Sequence, residues 1–271
     1  MAISQRVLDQ TQPSVIHGQN GHWEDAIESE DGRQVSEEDY WANYYEKGED
    51  DHSYEWNNGY LELKPMPDYR QYRMYDWLLA LLRCYLSVRP IAKMVALEIG
   101  FRLALPNKVT IRKPDVFIVR NDNPIDIAND DRSYKGICDL AIESLSDSRR
   151  KEVERDTVQK KGEYAGVGVH EYYILDARGR HMAFYRINQQ GTYDGFQPDK
   201  EGLIRSTVLP GFQFRVEDLY LQPALLAMAT DPVYQAFVLP EYQAEKARAE
   251  RERARAERLA ARLRELGMDD E

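Results

Sequence analysis

Between Arg112 and Asp176 the chain alternates short apolar runs with one long polar segment, and this order restricts the fold more than any other feature. RKPDVFIV, CDLAIESL and HEYYILD have the length and apolar content of strands from the middle of a sheet. SDSRRKEVERDTVQKKGEYAG, between the second and third runs, is polar with helical spacing, and Gly166 or Gly168 supplies its stop. Strands separated by helices give a mixed α/β (α+β) domain and exclude a sandwich. Asp115 opens the first run, Glu143 interrupts the second, and Lys160 lies on the helical segment. Charged side chains are rarely fully buried unless paired or metal-bound, so an acid inside LAIES needs a partner.

Spacing says where partners would come from. Asp156, Lys160 and Tyr164 fall at i, i+4 and i+8, close to one helical face, which would look toward the strand carrying Glu143. Lys161 points about 100° away and is expected in solvent. Glu143 shares strand parity with the small Ala141, while Leu140 and Ile142 take the opposite face. Asp115 follows Pro114, which cannot donate to a central ladder, so it belongs at a sheet rim. Two converging acids make a site for a hard divalent cation, and a nearby ammonium can neutralise a scissile phosphate or activate water.

Taken singly, each residue has an ordinary explanation. Asp115 alone reads as a strand-end residue, Glu143 as a partner of Arg149 or Arg150, and Lys160 as a surface lysine. Tyr172 and Tyr173 read as core. The five histidines, His17, His22, His52, His170 and His181, have no metal-ligand spacing. Only the ordered combination points to phosphodiester chemistry.

Around this centre, residues 1–35 read as an irregular arm, rich in Gln, Ser, Gly and Pro. SEEDYWANYYEK, residues 36–47, reads as a helix with Ser36 as N-cap. SYEWNNGYLELK is a hairpin turning at Asn57-Asn58-Gly59. Residues 69–88 form the strongest core helix, with Met74, Trp77, Leu78, Leu81, Leu82 and Tyr85 on a broad apolar face and Pro90 ending it. MVALEIGFRLAL reads as a strand pair or one bent strand, with Gly100 a candidate bulge. RHMAFYRIN and TVLPGFQFRV read as further strands, with a turn at Gln190-Gly191. A chain of 271 residues suits one large domain with appendages, placed here at 36–235. The Ala/Glu/Arg-rich run 240–268 is a charged helix. Two descriptions of it stay open: a solvated projection, or a weak coiled coil that helps form a homodimer.

Composition narrows the setting. Two cysteines make neither a disulfide framework nor a zinc site, no secretory leader pattern is present, and no apolar run reaches membrane-spanning length. The expectation is a soluble cytoplasmic protein. A net charge of −11 argues against nucleic-acid binding on bulk electrostatics. The acid is concentrated in residues 22–55, where only Arg33 and Lys47 oppose it, so a basic surface elsewhere, such as Arg149, Arg150 and Lys151, remains compatible.

PDVFIV, then DRSYKGICDLAIESLS, then D-x-x-x-K-x-x-x-Y, then GVHEYYILD resembles the Uma-two family, whose members are described as restriction endonucleases of the PD-(D/E)XK nuclease superfamily. YEWNNGYLELKPMP is similar to the family's opening hairpin, and the charged tail ending in LRELG to one its members often carry. The resemblance spans roughly residues 50–267. It implies a restriction-endonuclease-like mixed central sheet flanked by helices. It makes Asp115 and Glu143 the metal-binding acids and Lys160 the catalytic lysine, moved from the strand to the following helix, with Glu55 and Glu98 as additional acids. The chain departs from the pattern where Leu145 stands in the usual lysine position, where Ser144 and Asp147 replace a valine and a proline, and where Gln71 or Tyr72 stands near an expected histidine. The resemblance implies an endonuclease using Mg²⁺, or Mn²⁺, on nucleic acid, DNA first. The alternative is a non-catalytic interaction protein with an unused nuclease-like fold and a partner-binding C-terminal helix.

Overall fold

The structure, a computed structural model, describes residues 29–46, 52–146 and 149–265. The expected arm up to residue 28, Lys47 of the first expected helix, Asp147 and the tail residues 266–268 lie outside the described residues. Ser36 caps α1 (Glu37–Asn43), its hydroxyl accepting from the Asp39 N–H, as expected of an N-cap serine. β1 (Tyr54–Asn57) and β2 (Tyr60–Leu63) pair antiparallel across Asn58 and Gly59, which take left-handed φ of 48° and 101°. That conformation is what an Asn-Gly turn provides. Asp68 caps α2 (Tyr69–Val88), whose bounds match the apolar period.

β3 (Ala92–Ala96) and β4 (Phe101–Leu105) correct the expectation of one bent strand or a strand pair. They join different sheets. The chain crosses between the sheets at Leu97 and Glu98, both left-handed at φ 61° and 66°. Non-glycine residues held there cost about 1–3 kcal/mol each and cluster at functional sites. Gly100 is not a bulge but a close approach: a Cβ there would lie 2.6 Å from the Arg112 carbonyl oxygen.

β5 (Lys108–Arg112) completes a four-stranded sheet in the order β2-β1-β5-β4. β6 (Val116–Arg120) and β7 (Leu140–Ser144) lie antiparallel inside a six-stranded sheet. The chain then runs through α3 (Arg150–Glu154), π-helical turns at Arg155–Lys160 and α4 (Lys161–Val167), ending at Gly168 in the left-handed conformation. This crossover returns β8 (Glu171–Leu175) parallel to β7. With β9 (Ala183–Ile187) and β10 (Tyr193–Gly195) the order is β10-β9-β8-β7-β6-β3.

Strand alternation splits the core between the two faces of this mixed sheet. Val116, Ile118, Leu140, Ile142 and Tyr173 join α2 in one cluster; Phe117, Ala141, Tyr172 and Ile174 join Tyr164 of α4 in the other. The first cluster extends over β11 (Leu203–Arg205), β12 (Gln213–Arg215), α5 (Val216–Leu221) and α6 (Leu225–Met228), and on to Val238. TVLPGFQFRV is therefore a strand only at Gln213–Arg215; its partner strand carries too few residues to show a period.

α7 (Pro240–Glu265) is the charged tail, laced by Arg248–Glu252 and Arg253–Glu257 ion pairs at 3.2 and 3.1 Å. Leu259 and Leu263 on it are exposed. So little apolar area is buried that truncation after Leu239 should shift Tm by no more than about 2–4 °C, the equivalent of roughly 1 kcal/mol. Calorimetric melting checks this, and a much larger fall would show that the helix supports the domain.

Candidate active site

The rim where β6 begins and β7 ends brings the ordered acids together. Asp115, just ahead of β6, accepts a hydrogen bond through Oδ2 from the Ser144 N–H at 2.7 Å, which ties it to the residue after Glu143. Glu143 points to the α4 side of the sheet, as its parity with Ala141 requires. Its Oε1 accepts from the Tyr164 hydroxyl at 2.7 Å and lies 2.9 Å from Lys160 Nζ. Lys160 also lies 3.2 Å from Glu55 Oε1 and 3.2 Å from Asp156 Oδ1. Glu143 is thus paired with neither Arg149 nor Arg150. Lys161, expected in solvent, is only partly exposed and sits 4.1 Å over the Tyr185 ring.

The helix register explains this convergence. An i, i+4, i+8 series brings Asp156, Lys160 and Tyr164 toward the sheet, and the wider π turns turn Arg155 inward as well, so two adjacent residues are both buried. Arg155 donates through Nη1 to the Leu63 carbonyl at 2.8 Å, while its Nε is buried without a hydrogen-bond partner. Leu145, where the sequence pattern would carry a lysine, is core. Gln71, near the expected histidine, is consumed by structure: it donates to Ser144 Oγ and the Leu175 carbonyl and accepts from the Ala177 N–H.

These groups line one cleft of about 180 Å³, with Lys64, Glu98, Asp115, Glu143, Asp156 and Lys160 among its walls. Tyr72 and the 91% exposed Leu97 form part of its lining. Glu98 reaches the cleft from the left-handed crossover and lies 3.1 Å from Lys64. Glu55 stands behind the cleft, accepting from the Lys113 N–H at 2.8 Å and lying 3.1 Å from Arg112 Nη1. Arg112 is fully buried and also meets Glu62 and Glu163. Sequence reasoning missed Lys64, Arg112 and Arg155. Arg112 closes KVTIR, a strand that also carries Lys108 and Thr110, so its charge does not stand out in the sequence.

The electrostatics are uneven. Burial pushes the Glu143 carboxyl up to about 8; Lys160 pulls it down, and Asp156, Asp115 and Glu55 add repulsion. Burial works against the Lys160 ammonium, but Asp156, Glu143 and Glu55 outweigh it and hold the lysine charged. Asp156 is raised, by burial first. The Asp156 Oδ1 contact with Lys160 does not complete a hydrogen bond. Among the described residues no three His, Cys, Asp or Glu side chains are grouped as metal ligands.

A family model described as "Uma2: Putative restriction endonuclease" matches residues 38–217, and the chain belongs to that family. A solved structure described as a putative nuclease belonging to DUF820, from Anabaena variabilis ATCC 29413, is similar at 17% identity and a TM-score of 0.49. That match covers 63% of this chain and 90% of the other. No curated protein matches.

Proposed function

We propose that the chain is a Mg²⁺-dependent endonuclease that hydrolyses phosphodiester bonds of nucleic acid, DNA first, with its chemistry in the domain 36–235. The observation that carries this is the convergence of Asp115, Glu143 and Lys160, from a strand start, a strand end and a helix, on one cleft. The donor set fits the cation. Mg²⁺ takes hard oxygen ligands, commonly one or two carboxylates with waters and substrate phosphate, so it does not need three protein ligands. Glu143 stays raised by burial and by neighbouring acids despite Lys160, and a divalent cation beside it would add further positive charge.

Asp115 and Glu143 would hold the metal, which when bound lowers the pKa of a water and stabilises charge on the phosphate. Lys160, charged and fixed by Glu143, orients that water and offsets phosphate charge. Tyr164 holds the Glu143 carboxylate through its hydroxyl. Arg155 lines the same cleft, held by its hydrogen bond to the Leu63 carbonyl, and adds positive charge to that wall. The exposed rings of Tyr69 and Tyr72, 6.3 Å apart and stacked, stand beside the exposed Arg70 and Arg73 on α2. Such rings suit unpaired bases.

One observation favours a second function, a non-catalytic interaction protein. Three carboxylates already surround Lys160, and Lys64 already neutralises Asp115, so the charges satisfy one another without substrate. The two separate in one assay. Purified protein with Mg²⁺ or Mn²⁺ should cleave DNA, and Asp115→Ala, prepared identically, should not. Equal activity in both preparations, or none in the wild type, would leave the interaction protein.

A further inference from the structure

The mechanism above gives no work to Lys64, although its ammonium is among the most constrained groups in the cleft. Lys64 follows β2, its side chain is 10% exposed, and Nζ lies 3.3 Å from Asp115 Oδ1 and 3.1 Å from Glu98 Oε1. It also donates to the Lys113 carbonyl at 2.7 Å. Two carboxylates and a backbone carbonyl around one positive centre are the kinds of oxygen that hard cations take.

We propose that Lys64, anchored also on Glu98, is a built-in cation competing with the divalent metal for Asp115, an inference that rests on the metal-dependent function proposed above. An ammonium and a divalent ion sharing the same oxygens repel strongly inside a protein, where the effective dielectric is far below that of water. Metal binding therefore displaces Lys64 from Asp115. The lysine's long flexible stem permits that movement without disturbing the strand. Lys64 in this way weakens metal affinity and holds the acids together when no metal is bound.

The test is calorimetric titration of Mn²⁺ into the full-length wild type, Lys64→Met, Lys64→Arg and Lys64→Met/Asp115→Asn. Lys64→Met should bind Mn²⁺ at least about tenfold more tightly than the wild type, because the competing charge is gone. Lys64→Arg should show no such gain, and adding Asp115→Asn to Lys64→Met should remove it. Thermal melting gives a second readout: Lys64→Met should melt below the wild type without metal and gain more from Mn²⁺. Lys64→Gln replaces Lys64→Met if circular dichroism shows the latter unfolded. Wild-type binding with no gain in Lys64→Met, or a gain that survives Asp115→Asn, overturns the role of Lys64 and leaves the metal-dependent nuclease standing. Absence of Mn²⁺ binding in every variant overturns both.

Discussion

Replacing Arg112 by methionine should lower the stability of the domain by roughly 3–5 kcal/mol, the loss expected when one partner of a buried ion pair is removed. For a domain of this size that corresponds to a fall in Tm on the order of 10 °C. Arg112 is buried at the centre of three carboxylates from different elements. Nε lies 2.6 Å from Glu163 Oε2, and Nη1 lies 3.1 Å from Glu55 and also meets Glu62. Methionine fills most of the volume but strands those acids. Burial raises the Glu163 carboxyl, but Arg112 outweighs it and holds the acid below its ordinary range; Glu55 is also lowered, with Lys160 and Arg112 overcoming burial. Stability from such acids is present above their unfolded pKa values and lost as pH falls through the lowered folded values. The difference between wild type and Arg112→Met should therefore narrow in acid. Adding Glu163→Gln to Arg112→Met should recover part of the loss, since a buried amide is easier to satisfy than a buried charge. A variant melting within a degree or two of the wild type at neutral pH would show that the carboxylates do not depend on Arg112.

The parts of this site legible in the sequence were the local ones. Glu143 stands out because an acid within LAIES contradicts its surroundings, and Lys160 because a four-residue spacing ties it to Asp156 and Tyr164. The long helix 69–88 was legible for the same reason: a sustained period over many residues. What was not legible is non-local or too short to have a period. Arg112 meets carboxylates at least 50 positions away in sequence, and Lys64 meets Asp115 from 51 positions away. Six π-helical residues leave no pattern distinct from an α-helix. The split between β3 and β4 turns on Leu97 and Glu98, where the sequence carries none of the glycine that usually marks a left-handed reversal. That same reversal brings Glu98 to the cleft, so the turn hid a sheet boundary, while Glu98 itself was expected from the family resemblance alone.

Glu143→Gln should abolish divalent-dependent cleavage, by on the order of 10³-fold or more, while leaving the fold intact. The expected loss follows from losing a ligand charge on a cation that supplies several kcal/mol of transition-state stabilisation, at 1.36 kcal/mol per tenfold. Stability should move the other way or not at all. A carboxyl raised by burial to about 8 loses stability as pH rises from its unfolded pKa toward the folded one, and at neutral pH glutamine does not incur that penalty. The glutamine amide also keeps an oxygen for the Tyr164 hydroxyl and the Lys160 ammonium. Unchanged melting together with lost cleavage would assign the Glu143 charge to chemistry and not to folding. Lys160→Ala should depress turnover, but it cannot make this separation. Three carboxylates converge on that ammonium, and removing it exposes them to one another in the buried site. Its effect on turnover must therefore be read beside its melting temperature, whereas Glu143→Gln can be read directly. Cleavage that survives Glu143→Gln in a contamination-controlled assay would move the metal away from this strand.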